Sequence, residues 1–97
     1  MTDSEKMTNR VLEGIATGVK NYLQGNIPEA SIYSNEQFVS FSFYVEEVQD
    51  VASVSLYSSN NSFHGNLTNG GYFTGTYTDS YVNAHSSDSG ISASVYY

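Results

Sequence analysis

The chain has 97 residues, ten acidic and three basic side chains, and a formal charge of -7. Lys6, Arg10 and Lys20 all precede residue 21, so the seven acids that follow carry the whole net charge. Contacts to nucleic-acid phosphates and to anionic membranes both need Lys or Arg, so this distribution excludes direct nucleic-acid binding and disfavours electrostatic membrane attachment.

The length fits one domain spanning residues 1–97, with a single core. Nine Tyr and five Phe argue for a folded chain despite the abundance of Ser and Asn. No cysteine is present, which fits a reducing compartment. The first ten residues are polar and lack the apolar stretch of a signal peptide. The expected location is therefore cytoplasmic, with secretion by a non-classical route left open. No apolar run approaches the length of a membrane-spanning helix.

Residues 3–24 read as one amphipathic helix within an N-terminal segment 1–25. Met7, Val11, Ile15, Val19, Tyr22 and Leu23 recur every three or four residues. Lys6, Arg10, Glu13, Thr17, Lys20 and Asn21 form the other side. Thr2-Asp3-Ser4-Glu5 fits a capping box at the start, and Gly25 and Pro28 mark the stop. Gly14 and Gly18 lie one turn apart and suggest close packing of the helix on a sheet. The other reading is a small-residue seam between two copies.

From residue 31 the apolar period changes from 3.6 to 2, and 31–97 reads as antiparallel sheet. Val39, Phe41, Phe43 and Val45 alternate with Ser and Tyr. Ala52, Val54 and Leu56 do the same, as do Ile91, Ala93 and Val95. Residues 63–67, 72–78 and 81–85 are fainter strands, and the phase of the last three strands is ambiguous. Residues 58–61, 69–71 and 87–90 carry turn chemistry. The stretch 46–50 is a hairpin turn or a bulged bend. Connections this short cannot return a parallel strand. The expected fold is α+β: one helix packed on an antiparallel meander of five or six strands, as a curled sheet or partial barrel. Outer faces rich in Ser and free of Lys protect an edge poorly, so closure or pairing with a partner or second copy is expected.

No Gly-x-Ser-x-Gly elbow singles out a nucleophile. His64, Asp79, His85 and Asp88 are the plausible metal ligands, and their spacing matches no ligand pattern. We therefore expect no enzyme, no cofactor and no metal. Two features point instead to a partner. Glu46, Glu47 and Asp50 form the densest acidic cluster, suited to basic groups on another protein. Tyr44, Tyr57, Tyr72 and Tyr77 offer large, rigid contact area with a polar tip.

The run Phe38-Val39-Ser40-Phe41-Ser42-Phe43-Tyr44-Val45, then Val54-Ser55-Leu56-Tyr57, Phe63-His64-Gly65 and Gly71-Tyr72-Phe73-Thr74-Gly75-Thr76-Tyr77-Thr78-Asp79, resembles the first half of the bacterial virulence-associated protein family, of the VapA and VapB type. The resemblance implies a compact antiparallel barrel with no known catalytic site, acting in host interaction and membrane perturbation. The expected function is that of a small, acidic, non-enzymatic protein-binding module. The alternative is a phage or mobile-element inhibitor such as an anti-CRISPR protein, an acidic DNA mimic that covers a basic nucleic-acid channel. A mimic needs Glu29, Glu36, Glu46, Glu47, Asp50, Asp79 and Asp88 largely on one side.

Overall fold

A computed structural model describes residues 8–26, 33–68, 71–87 and 90–97. Among the described residues one helix, α1 (Asn9–Leu23), precedes seven strands: β1 (Tyr33–Ser34), β2 (Val39–Val45), β3 (Asp50–Tyr57), β4 (Ser62–Leu67), β5 (Tyr72–Tyr77), β6 (Tyr81–Ser86) and β7 (Ser92–Tyr96). The strands form one antiparallel sheet in chain order. The strand count is thus seven rather than five or six. The additional strand, β1, is two residues long, too short to show a period.

The described helix starts at Asn9, and residues 3–7 of the expected span lie outside the described residues. Thr8 is extended (φ -94°, ψ 170°) and serves as N-cap, its Oγ1 accepting from the Val11 amide at 3.3 Å. The box at residues 2–5 and Met7 lie outside the described residues. Gly25 ends the helix with φ +89°, a left-handed conformation that glycine adopts without a Cβ penalty. Val11, Leu12, Ile15, Ala16 and Val19 are buried. Leu12 and Ala16 widen the apolar stripe beyond the residues that periodicity picked out.

In the sheet, period 2 assigns the faces. Phe41, Val45, Ala52, Val54, Leu56, Phe63, Leu67, Phe73, Val82 and Ala84 point inward and form one core with the helix. Helix α1 packs on β6 and β7, and also on β2. In a flat sheet β2 and β7 would stand about 24 Å apart, five strand spacings, which is more than one helix about 10 Å wide can bridge. The sheet therefore curls around α1. Among the described residues it does not close: β1 and β7 are not paired with each other, so the described strands form an open sheet rather than the barrel that the family resemblance implies. The helix occupies the seam instead. On one side the Asn9 side-chain amide donates to the Ser92 carbonyl at 2.6 Å. On the other, Tyr22 stacks on Phe41 with ring centroids 4.3 Å apart.

The glycines at positions 14 and 18 serve this seam. A Cβ on Gly18 would collide with the Phe43 ring, and one on Gly14 would meet Glu47 Oε2 at 2.9 Å and Val45 Cγ1 at 3.3 Å. Close approach of helix to sheet is the reading the structure supports, since the notch is filled by the chain's own side chains. Two further glycines explain the repeated Phe-x-Gly steps. Strands β4 and β5 run antiparallel, so Phe63 faces Gly75 and Gly65 faces Phe73. Each ring lies over the bare backbone of the other strand.

Candidate functional site

Where α1 passes β2, their surfaces enclose an open groove of about 330 Å³. Three elements build it. Helix α1 supplies Glu13, Thr17 and Asn21, which recur every four residues and so line up along one side. Between them Gly14 and Gly18 keep the helix wall low. Strand β2 supplies Phe43, Tyr44 and Val45, and the turn after it supplies Glu46 and Glu47.

The 46–50 stretch resolves as a hairpin turn. Val45 pairs directly with Asp50, leaving residues 46–49 as the loop. The Val48 amide donates to the Val45 carbonyl at 3.3 Å, and the Gln49 amide to the Glu46 carbonyl at 3.2 Å. Gln49 takes φ +51° to complete the reversal. This turn holds Glu46 and Glu47 exposed at the groove mouth. The Glu47 carboxylate lies over Gly14 and also borders a second hollow of about 190 Å³, which it shares with Thr8, Arg10 and Val11.

Three of the residues singled out from the sequence meet here: Tyr44, Glu46 and Glu47. Tyr44 is 58% exposed on the outer face of β2. Asp50 is separated from the two glutamates. It opposes Val45 on the inner face, is only 8% exposed, and accepts from the Val51 amide through Oδ1 at 2.7 Å. The acidic cluster is therefore two exposed carboxylates and one buried one. Tyr72 is exposed on the outer face of β5, three strands from β2. Tyr57 is half-buried on the outer face of β3, between Phe38 and His64, with centroids 5.4 Å from each.

Tyr77 departs from the expected contact face. Together with Phe73 and Gly75 it points inward and packs on the core. Its hydroxyl donates to the Tyr57 carbonyl at 3.4 Å. Burial raises its pKa above the ordinary 10.0, with smaller contributions from Tyr97 and Tyr22.

The sequence reading did not assign Glu13, Thr17 and Asn21 to a site. Their signal was their spacing, which matches that of Gly14 and Gly18 one position further on: a polar row beside a row without side chains.

His64 and His85 both pair with Thr74, from either side, and so share one outward row across β4, β5 and β6. Asp79 lies in the β5–β6 turn, and Asp88 lies outside the described residues. Among the described residues no three His, Cys, Asp or Glu side chains converge on a metal position. Among them, too, no helix is long and apolar enough to cross a membrane. The chain matches no family model, no curated protein and no solved structure.

Proposed function

We propose that this chain is a non-enzymatic interaction module that takes a basic part of a partner protein into the groove between α1 and β2. The observation that carries this reading is the lining. Glu13, Glu46 and Glu47 border the groove, and no lining residue among the described ones is Lys or Arg. Tyr44 at the mouth adds a ring face suited to a cation. The resemblance to the virulence-associated family would make the partner a host protein.

The placement of the other acids favours this reading over a nucleic-acid mimic. Glu46 and Glu47 follow the end of β2, whereas Glu36 precedes its start and Asp79 follows β5, at the opposite end of the sheet. Asp50 faces the interior. Glu29 and Asp88 lie outside the described residues.

Binding of an oligo-arginine peptide at low salt, measured by calorimetry, tests the reading. Replacing Glu13, Glu46 and Glu47 with Gln should weaken binding roughly tenfold or more, as expected for loss of charge-assisted contacts. Glu36→Gln with Asp79→Asn should change it much less. Equal losses from the two sets would mean that net charge alone attracts the peptide, and the groove would have no special role.

A further inference from the structure

The outward side chains of β3 to β7 make a surface unlike the rest of the molecule. The chain carries a charge of -7, and Glu13, Glu36, Glu46, Glu47 and Asp79 are exposed. Each of these acids lies on the helix or between strands. The outward positions of β3 to β7 are Ser, Thr, Asn, His or Tyr throughout, save Val51. None is Asp, Glu, Lys or Arg, although about a quarter of the residues in an average chain are charged. A charged partner finds no complementary charge on this surface. A protein partner needs an apolar interface core, and Val51 is the only aliphatic side chain there. Neutral hydrogen-bonding groups interspersed with rings suit a neutral polyhydroxylated ligand instead. Its hydroxyls meet the amides and imidazoles, and its C–H faces meet the rings.

Thr74 is the low point of this surface. Its Oγ1 donates to the Phe63 carbonyl at 3.1 Å, which holds the short side chain down. His64 and His85 flank it from β4 and β6, their backbones two strand spacings or about 9.6 Å apart. Tyr72 stands on the same face two residues away and is 64% exposed. Three of the surrounding groups are already held in place. Tyr57 stacks on the His64 ring at 5.4 Å and leaves the opposite ring face open. The Asn66 amide donates to the Leu67 carbonyl at 3.0 Å, and the Asn83 amide to the Ser94 hydroxyl at 2.7 Å. Each of these bonds orients its Asn and leaves Oδ1 to accept from a ligand hydroxyl. The curl of the sheet around α1 splays the outward side chains, so the site is open and shallow. Such a site takes one sugar unit at a time with a dissociation constant of about 1 mM.

We propose that the outer face around Thr74 binds neutral glycans: a pyranose ring sits over Thr74, its hydroxyls bonded to His64, His85, Asn66 and Asn83, and Tyr72 offers its ring to the apolar side of the sugar. This site lies apart from the acidic groove and does not depend on it. Hydrogen bonds to uncharged side chains supply selectivity for hydroxyl geometry. The lack of cations on this face selects against sulfated and carboxylated sugars.

The experiment is a printed array of neutral, sulfated and carboxylated glycans, probed in EDTA so that no metal bridges the two histidines. The protein, biotinylated at its N-terminus, is displayed on streptavidin tetramers to raise the weak single-site affinity. Neutral pyranose glycans should carry the signal. Thr74→Tyr, which fills the low point, and His64→Ala combined with His85→Ala should each reduce it at least about tenfold. Both variants should keep the melting temperature nearly unchanged, because replacements at outward positions alter stability little. The best-bound glycan, titrated into isotope-labelled protein, should shift the amide resonances of His64, Thr74 and His85. No signal, signal on acidic glycans alone, or equal signal from the variants would overturn the proposal. Shifts confined to the groove between α1 and β2 would overturn it too.

Discussion

Phe63 and Phe73 each lie over a glycine of the neighbouring strand, and this pairing fixes what those glycines tolerate. A Cβ on Gly75 would run into the Asn83 carbonyl oxygen and the Phe63 ring, and one on Gly65 into the Ser53 carbonyl oxygen. A backbone oxygen in a sheet ladder cannot step aside. Gly75→Ala should therefore cost about 1–3 kcal/mol in urea denaturation. Gly18→Ala should cost less, because the half-buried Phe43 ring can yield and Ala favours a helix by about 1 kcal/mol over Gly. A neutral Gly75→Ala would contradict the β5–β6 register. Tyr77 carries a pH dependence at the same scale. Its folded pKa lies above the unfolded 10.0, so its contribution is complete below about pH 10 and declines as pH rises through the folded value. Stability should fall in that window, and Tyr77→Phe should flatten the fall. An unchanged slope in the variant would assign the effect to other groups.

At the scale of elements, α1 is held by its apolar stripe more than by its cap. Val11 reaches Thr8 Oγ1 only at 3.3 Å, whereas Leu12, Ile15, Ala16 and Val19 are completely buried. Leu12→Ala keeps helix propensity high and leaves only the cavity, so it should cost about 2–5 kcal/mol. For a domain of this size that corresponds to a fall in melting temperature of at least about 10 °C. A fall of a degree or two would show that the helix contributes little to the core. The strands were legible because Phe41-Ser42-Phe43-Tyr44-Val45 and its counterparts alternate without interruption. Two placements were not legible, each for a local reason. Four residues separate Val45 from Asp50, and an even-numbered loop that pairs its flanking residues puts both on one face, so Asp50 follows Val45 inward. In β5 the middle inward residue is Gly75, which has no side chain to mark the face. Tyr72 and Tyr77 then look equivalent although they lie on opposite sides. The helix start was hidden for a similar reason: Thr8 is followed by Val11 at the position where a capping box carries Glu or Gln.

For the molecule as a whole, the excess of acids sets how stability responds to salt. Glu13, Glu36, Glu46, Glu47 and Asp79 are exposed, and the basic side chains all belong to the first 20 residues. Self-repulsion opposes the folded state when screening is weak. Raising salt from about 0.01 M to about 0.5 M shortens the screening length from about 30 Å to under 8 Å. The melting temperature should rise across that range. A decrease would mean that attractive pairs dominate. The candidate groove was half legible at this scale. Its carboxylate turn stood out in the sequence. Its other wall is a helix face brought there only by the curl of the sheet, and nothing local encodes that meeting.

The helix at the seam also sets an order in time. Consecutive strands pair with their chain neighbours, so the meander can form hairpin by hairpin as the chain leaves the ribosome. Helix α1 emerges ahead of every strand, yet β6 and β7 are among its chief supports, and Asn9 waits 83 residues for Ser92. At about 5–20 residues per second, that interval is several seconds or longer. Throughout it the stripe of Val11, Leu12, Ile15 and Val19 lacks its final cover. Until β6 and β7 follow, that stripe is therefore open to chaperones and to aggregation.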